Sequence, residues 1–203
     1  MCGMGGHPLT RTVRWLSQVV GVVMFGLLAG AVYRYLVVHA NFNLHAVEKG
    51  VVYRSGQMPP DDLARFVKSA GIRSVINLRG QNPGKDWYDA EMRCVHTLGV
   101  SVYDYPLNSR EEVSVLKMKE ISTMLRDAPK PVLIHCGAGS DRTGLVSALY
   151  CVDAGLPMSC AYDQLSQYYG HFPYLFWNDS AAMDVSLKHY LTQVPPDAVN
   201  GTR

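Results

Sequence analysis

The sequence predicts an α/β domain, a parallel-rich central sheet flanked by helices, preceded by one N-terminal transmembrane helix. Three observations carry this prediction. Short apolar strand candidates alternate with helix-length segments from residue 50 onward, the pattern of a sheet with helices on both faces. The run from Trp15 to Tyr33 holds no charged residue. A short apolar strand, Val132-Leu133-Ile134, runs into a glycine-rich stretch, His135-Cys136-Gly137-Ala138-Gly139-Ser140-Asp141-Arg142-Thr143-Gly144, and a helical pattern runs out of it.

Along the chain, residues 1–14 form an N-terminal segment and 15–36 the apolar helix. As a helix, Trp15 to Tyr33 spans about 28 Å, close to the thickness of bilayer hydrocarbon. Trp15, Tyr33 and Tyr35 sit where interfacial aromatics anchor a span. Two readings compete. One is an uncleaved single-pass anchor. The other is a signal peptide, with Arg11 and Arg14 as its basic region and Ala29-Gly30-Ala31 as its cleavage site. The length of the apolar run and the closeness of Arg34 favour the anchor. Arg11 and Arg14 precede the span and Arg34 alone follows it at once. The excess of positive charge before it places the N-terminus in the cytoplasm and the domain outside, in the periplasm if the source is bacterial.

Residues 37–49 read as a linker, with His39 to Lys49 leading into a domain over 50–192. Val51-Val52-Tyr53 is a strand. Pro59-Pro60-Asp61 opens a helix that Asp61 caps, with Leu63, Phe66, Val67 and Ala70 on one face and Gly71 ending it. Ser74 to Leu78 is a buried strand and Asn82-Pro83-Gly84 a turn. A helix over 86–98 ends at Gly99, and Val100 to Tyr105 is the third strand. Residues 113–126 form a helix that Ala128-Pro129-Lys130-Pro131 breaks before the central strand. Helices follow at 142–154, 158–168 and 178–191, and 193–203 is a loose tail.

A net charge of +2, with no basic stripe, sets nucleic acid aside as a partner. Five cysteines give no disulfide framework. Cys94, Cys151 and Cys160 lie among apolar neighbours and read as buried thiols. No cluster of residues has metal-ligand spacing.

The glycine-rich stretch has the makings of a phosphate cradle. A phosphate dianion needs many donors converging on a small volume, and backbone N–H groups supply them only if the chain curls tightly. Gly137 and Gly139 permit that curl. The helix starting near Arg142 adds its free N–H groups and its dipole. The same positive surroundings favour a thiolate at Cys136, the nucleophilic form. Arg142 offers a planar fork of donors to phosphoryl oxygens. Thr143 can donate a hydroxyl to the sulfur, and His135 orients the loop.

This Cys-x5-Arg-Thr pattern, with His135 before it and Gly144 after it, resembles the signature of the cysteine-dependent protein tyrosine phosphatase superfamily. Val52-Tyr53-Arg54-Ser55-Gly56-Gln57, the run from Gly71 to Arg79, and Tyr169-Gly170-His171-Phe172-Pro173 are similar to its atypical dual-specificity branch, in particular bacterial membrane-anchored members. The resemblance covers about 48–191. It implies a phosphomonoester hydrolase with a cysteinyl-phosphate intermediate and neither metal nor cofactor. Cys136, Arg142, Asp141 and Thr143 would be catalytic. His135, Gly137, Ala138, Gly139, Ser140, Asp141 and Arg142 would bind the phosphate. The implied substrate is phosphoprotein; a membrane lipid monophosphate and a non-catalytic phospho-binding role are the alternatives.

The resemblance also implies an acid, commonly an Asp on the loop after the preceding strand, to protonate the leaving oxygen. That loop here reads Tyr105-Pro106-Leu107-Asn108-Ser109-Arg110, without it. Asp141 ranks first as a substitute, because myotubularin-like phosphatases use an Asp at that cradle position. Asp104 and the pair Glu111 and Glu112 are the other candidates. Arg110, Arg79, Asp86 and Trp87 read equally as rim residues and as solvated surface, and His171-Phe172-Pro173 as a packing turn.

Overall fold

A computed structural model describes residues 8–36, 40–174 and 179–193. Two compact units appear, residues 1–36 and 37–203. The first is helix α1, Pro8–Tyr35, longer at its start than the predicted span. Proline is tolerated in a first turn, where its missing N–H would have no intrahelical acceptor. Within α1, Thr12–Tyr33 is long and apolar enough to cross a membrane, with a mean hydropathy of 1.9.

The second unit contains β1 (His45–Glu48), β2 (Val52–Ser55), α2 (Pro60–Ala70), β3 (Ser74–Asn77), α3 (Asp86–Thr97), β4 (Ser101–Asp104), α4 (Val115–Asp127), β5 (Val132–His135), α5 (Asp141–Asp153), α6 (Met158–Gln164) and α7 (Ala181–Gln193). The sheet order is β1-β2-β5-β3-β4. Every pairing is parallel except the antiparallel one between β1 and β2. The predicted parallel-rich sheet is therefore present, with β5 at its centre.

Side chains along a strand alternate between faces, and the sheet sorts its two cores that way. Val52, Ile76, Val132 and Ile134 pack with α4, α5 and α7 residues such as Ile121, Leu145, Leu149 and Met183. Val75 and Leu133 pack on the other face with Leu63 and Val67 of α2 and Val95 of α3. Strands β3 and β5 are buried along their whole length, so apolar side chains, Val75 and Ile76 in β3 and Val132 to Ile134 in β5, point to both faces.

Four expectations are corrected. Residues 39–49 are not all linker, because β1 lies within them. It is a four-residue edge strand, His-Ala-Val-Glu, in which only Val47 packs on the core, so no alternation marks it. Asp61 does not cap α2; Pro59 holds the cap position, and Asp61 sits in the first turn, where its charge meets the helix dipole. Helix α4 starts two residues late. Ser114 caps it by accepting from the Lys117 N–H, while Val113 stays outside and donates its own N–H to Ser186 Oγ. Cys151 and Cys160 are not thiols but a disulfide, since the turn from α5 to α6 brings their Cα atoms to 5.8 Å. Cys94 and Cys136 are free. Of the predicted tail over 193–203, Gln193 closes α7 and the rest lies outside the described residues.

Candidate active site

Strand β5 ends at His135, and the chain from Cys136 to Ser140 curls before α5 begins at Asp141. Cys136 is only 3% exposed, at the floor of this curl. A peptide group is planar and trans, so its C=O and its N–H point in opposite directions. Three successive carbonyls of the curl are tied outward. Gly137 O accepts from the Gln57 N–H at 2.9 Å. Ala138 O accepts from Asn43 Nδ2 at 3.2 Å. Gly139 O accepts from Arg54 Nη2 at 2.7 Å. The N–H groups of Ala138, Gly139 and Ser140 therefore face the other way. The Gly139 N–H donates to Cys136 Sγ at 3.3 Å. The first-turn N–H groups of α5, which have no intrahelical acceptor, add to the positive surroundings.

Of the two glycines expected to permit the curl, Gly139 has the left-handed backbone, φ +76°. A Cβ there would lie 2.5 Å from the Gly56 nitrogen. A Cβ on Gly56 would lie 2.9 Å from the Gly137 oxygen. Two backbones thus meet with no side chain between them. Gly137 does not have positive φ, and its missing Cβ would face the Arg142 guanidinium at 3.8 Å. That guanidinium is held by the Leu78 and Leu107 carbonyls at 3.3 and 3.2 Å, just past β3 and β4.

Arg54 braces the curl from below. It is fully buried, in phase with Val52 on the core face of β2. Its other terminal nitrogen donates to the Gln164 carbonyl at 2.9 Å and the Gln164 amide oxygen at 2.7 Å. The guanidinium stacks on the Tyr169 ring at 3.8 Å. Burial pulls its pKa down to about 10, with Tyr169 and Cys136 opposing that shift. It stays a cation at neutral pH.

His135 turns its Nε2 to Glu91 at 2.9 Å. Glu91 is almost wholly buried. Burial alone would raise its pKa, but His135, a hydrogen bond from Gln57 and the Arg79 charge together hold it below the ordinary value. Gln57 in turn accepts from Arg79 at 2.9 Å, and Arg79 lies over the Trp87 ring at 3.3 Å. Thr143 is buried, and its hydroxyl donates to the Ser55 carbonyl at 3.4 Å, not to the sulfur as expected. Ser140 is buried at the start of α5, and its hydroxyl has no hydrogen-bond partner among the described residues.

The acid candidates are distributed differently from the expectation. The Asp141 carboxylate lies 2.7 Å from His171 Nδ1, and Asp184 lies 2.9 Å from Nε2. With an acceptor at each ring nitrogen, His171 must donate from both, which requires the imidazolium. Burial alone would lower its pKa, but the two carboxylates raise it to about 9. Asp104 accepts from Asn77 and from the Tyr88 hydroxyl at 2.8 and 2.7 Å. Glu112 pairs with His189. Glu111 is exposed, takes a bond from Asn108 Nδ2 at 2.7 Å, and lines a cleft of about 270 Å³ with Pro106 and Leu107.

The sequence pointed to Cys136, Arg142 and the loop but gave no role to Asn43, Gln57, Glu91 or the buried side chain of Arg54. For Arg54 there was a signal: a charged residue two positions from Val52 in a strand pattern falls on the core face.

The profile described as Swiss Army Knife protein, DSP-PTPase phosphatase domain (PTP-SAK), matches residues 43–173. No curated protein matches the chain. Among solved structures, P. aeruginosa TpbA is similar with 19% identity and a TM-score of 0.57, over 80% of this chain and 91% of TpbA. A second TpbA structure, in complex with pTyr, is 18% identical with a TM-score of 0.55, over 80% and 91% of the two chains. The core catalytic domain of the S. cerevisiae PP-IP phosphatase SIW14 is 19% identical with a TM-score of 0.53, over 74% and 91%. These likenesses concern the fold.

Proposed function

We propose, on the premise that this chain belongs to the DSP-PTPase cysteine-dependent phosphatases, that it hydrolyses phosphomonoesters on phosphoprotein through a cysteinyl-phosphate intermediate. The observation that carries the reading is the Gly139 N–H directed at Cys136 Sγ, with the neighbouring carbonyls tied away from it. In the first step the Cys136 thiolate attacks phosphorus. The S–P bond forms and the P–O bond to the leaving group breaks. The amides of Ala138, Gly139 and Ser140, the start of α5 and the Arg142 guanidinium stabilise charge on the equatorial oxygens. In the second step water attacks phosphorus, the S–P bond breaks, and the thiolate returns.

We assign the leaving-group proton to Glu111 ahead of Asp141. The Asp141 carboxylate is already engaged, at 2.7 Å from His171 Nδ1. Glu111 is exposed and lines a cleft with Pro106, Leu107 and Lys117, on the loop whose Leu107 carbonyl holds Arg142. After donating, its carboxylate takes the proton of the attacking water. Asp141 then serves by holding the start of α5 through His171. Thr143 and His135 act through the loop, Thr143 by fixing it to Ser55 and His135 by its bond to Glu91.

Phosphoprotein is favoured because a similar structure, TpbA, is seen with pTyr. SIW14 is a PP-IP phosphatase. In this chain, however, Gly137, Ala138 and Ser140 place no extra cation in the loop for further phosphates. The apolar helix α1 favours a second reading, a membrane lipid monophosphate. Membrane attachment by α1, with the domain outside the cytoplasm, suits the Cys151–Cys160 disulfide, which persists in oxidising compartments.

Activity on phosphotyrosine peptides should survive chelators and vanish in Cys136→Ser; release of phosphate only from lipid monophosphate vesicles would select the second reading. With aryl phosphates of graded leaving-group pKa, Glu111→Gln should lose about 10²–10⁴ in rate on poor leaving groups and little on good ones. An equal loss on all of them, or that selective loss in Asp141→Asn instead, removes Glu111 from the role.

A further inference from the structure

We infer that Asn43 is a positioning residue for the cradle, acting through one peptide plane. The inference rests on the phosphatase reading of Cys136. Asn43 is fully buried, yet it precedes the first strand of the domain, 95 residues from the loop it touches. Its side-chain nitrogen donates to Ala138 O at 3.2 Å and to Tyr169 O at 2.8 Å. The Ala138 carbonyl and the Gly139 N–H belong to the same planar group. Fixing that oxygen outward therefore fixes the N–H inward, on Cys136 Sγ at 3.3 Å.

That plane needs a fixture. Gly139 accepts backbone conformations closed to other residues, so the 138–139 peptide can flip at little steric cost to residue 139. A flipped plane would turn a carbonyl oxygen, the negative end of the dipole, toward the sulfur. It would remove a donor from the place where phosphoryl charge develops. Asn43 is the side chain that holds the Ala138 oxygen, and its amide is the right chemistry, since both of its neighbours there are acceptors.

The backbone that delivers Asn43 is itself unusual. Phe42 and Asn43 both have φ +51°. Consecutive left-handed residues without glycine are costly, above all for an aromatic, and persist where the surroundings over-determine them. Here the Phe42 carbonyl accepts from the Gly56 N–H at 2.7 Å, and the Leu44 N–H closes the turn on the Asn41 carbonyl at 2.9 Å. One knuckle thus holds both Gly56 and Ala138, the two backbones that meet at Gly139.

Two variants separate the amide from the backbone. Asn43→Gly keeps a residue that adopts φ +51° without strain and removes only the side chain. Asn43→Asp keeps the shape and tolerates the left-handed region, but replaces the donor with an acceptor facing two carbonyls. The readout is the pH dependence of Cys136 alkylation by iodoacetamide, together with kcat and KM on an aryl phosphate. The expected result is an alkylation midpoint about one pH unit above that of the full-length wild-type chain, with a 10- to 100-fold fall in kcat/KM, carried mainly by kcat. The effect should be larger for Asp than for Gly. A purely structural role would lower the melting temperature and leave the midpoint of the folded fraction unchanged. An unchanged midpoint in a folded Asn43→Gly variant overturns the inference. If Asn43→Asp does not fold, Asn43→Gly alone decides. If neither folds, iodoacetamide titration of Asn43→Ser, whose hydroxyl is too short to reach Ala138, is read against the same two outcomes; failure of all three to fold makes the residue structural and also overturns it. An ordinary thiol profile in the wild-type chain would defeat the phosphatase reading itself, a result distinct from all of these.

Discussion

Replacing Arg54 tests how the cradle is held from beneath. Two effects oppose each other in Arg54→Met. The native charge is already penalised by burial, since its pKa is pulled from 12.5 to about 10. That corresponds to about 3 kcal/mol that methionine does not incur. Against this, the change removes donors to Gly139 O, Gln164 O and Gln164 Oε1, at 2.7, 2.9 and 2.7 Å. Hydrogen bonds from a charged donor contribute about 1.5–3 kcal/mol each, and a buried acceptor left unpaired costs about 1–3 kcal/mol. Three such bonds lose about 4.5–9 kcal/mol against about 3 kcal/mol of relief, so Arg54→Met should lower unfolding free energy by about 1.5–6 kcal/mol. A domain with an ordinary stability of about 5–15 kcal/mol survives most of that range. Arg54→Lys keeps the charge but concentrates its donors on one atom, which cannot serve Gly139 and Gln164 together. It should lose about as much stability as methionine while retaining more of the electrostatic support to the sulfur. The assays are urea denaturation, the pH profile of Cys136 alkylation, and kcat/KM on an aryl phosphate. Methionine should raise the alkylation midpoint more than lysine and cut kcat/KM about 100-fold. A folded Arg54→Met chain with the wild-type profile and activity would refute the idea that outward-held carbonyls set the cradle.

Two further outcomes are expected. His171 has a folded-state pKa of about 9 against 6.5 unfolded, so its contribution is fully present below pH 6.5 and is lost as pH rises through 9. The shift corresponds to about 3 kcal/mol, discounted to about 2 kcal/mol because Asp184 is 39% exposed and screened. The stability gap between wild type and His171→Gln should close between pH 7 and 9.5 in urea titrations; parallel curves would show that the Asp141–His171–Asp184 bridge contributes nothing. In Gly144→Ala, the added Cβ would sit 2.7 Å from the Gln164 carbonyl oxygen and 2.8 Å from Leu165 Cδ2. Alanine's helix propensity favours the variant by about 1 kcal/mol, but displacing the end of α6 costs about 1–3 kcal/mol and draws Gln164 from Arg54. Lower thermal stability with reduced kcat/KM is expected, and a stabilised variant would mean propensity outweighs the close contact.

Much of the fold was legible because its strongest signals are local. Strands β3 and β5 are built on the apolar cores Val75-Ile76 and Val132-Leu133-Ile134, Gly71 ends α2 in the left-handed conformation that favours glycine, and Pro129 to Pro131 separates α4 from β5. What was missed depends on partners distant in sequence or on faces that carry little pattern. Strand β1 is short and half-buried with no clear alternation, and its pairing with β2 makes it a strand. The cysteines at 151 and 160 look like core thiols on each helix alone; the tight turn between α5 and α6 brings them together. The interior of the phosphate loop was read from its spacing, since Cys136, Gly139 and Arg142 lie within one turn and its approach.

The outer half of the site followed a different logic. A ring that turns its N–H groups inward must turn the matching carbonyls outward, because each pair shares a planar group. Each of those carbonyls then takes a donor from elsewhere in the fold, which fixes its direction. Gln57, Asn43 and Arg54 are those donors for Gly137, Ala138 and Gly139. Two of them stand on or just after β2, which lies beside β5 in the sheet. Gly56 lets that strand's end come close enough to donate from the backbone. A nucleophile loop at the end of a central strand therefore makes a demand on its neighbour: a glycine at the neighbour's end and buried donors around it. Arg54 in phase with Val52, followed by Gly56 and Gln57, meets that demand.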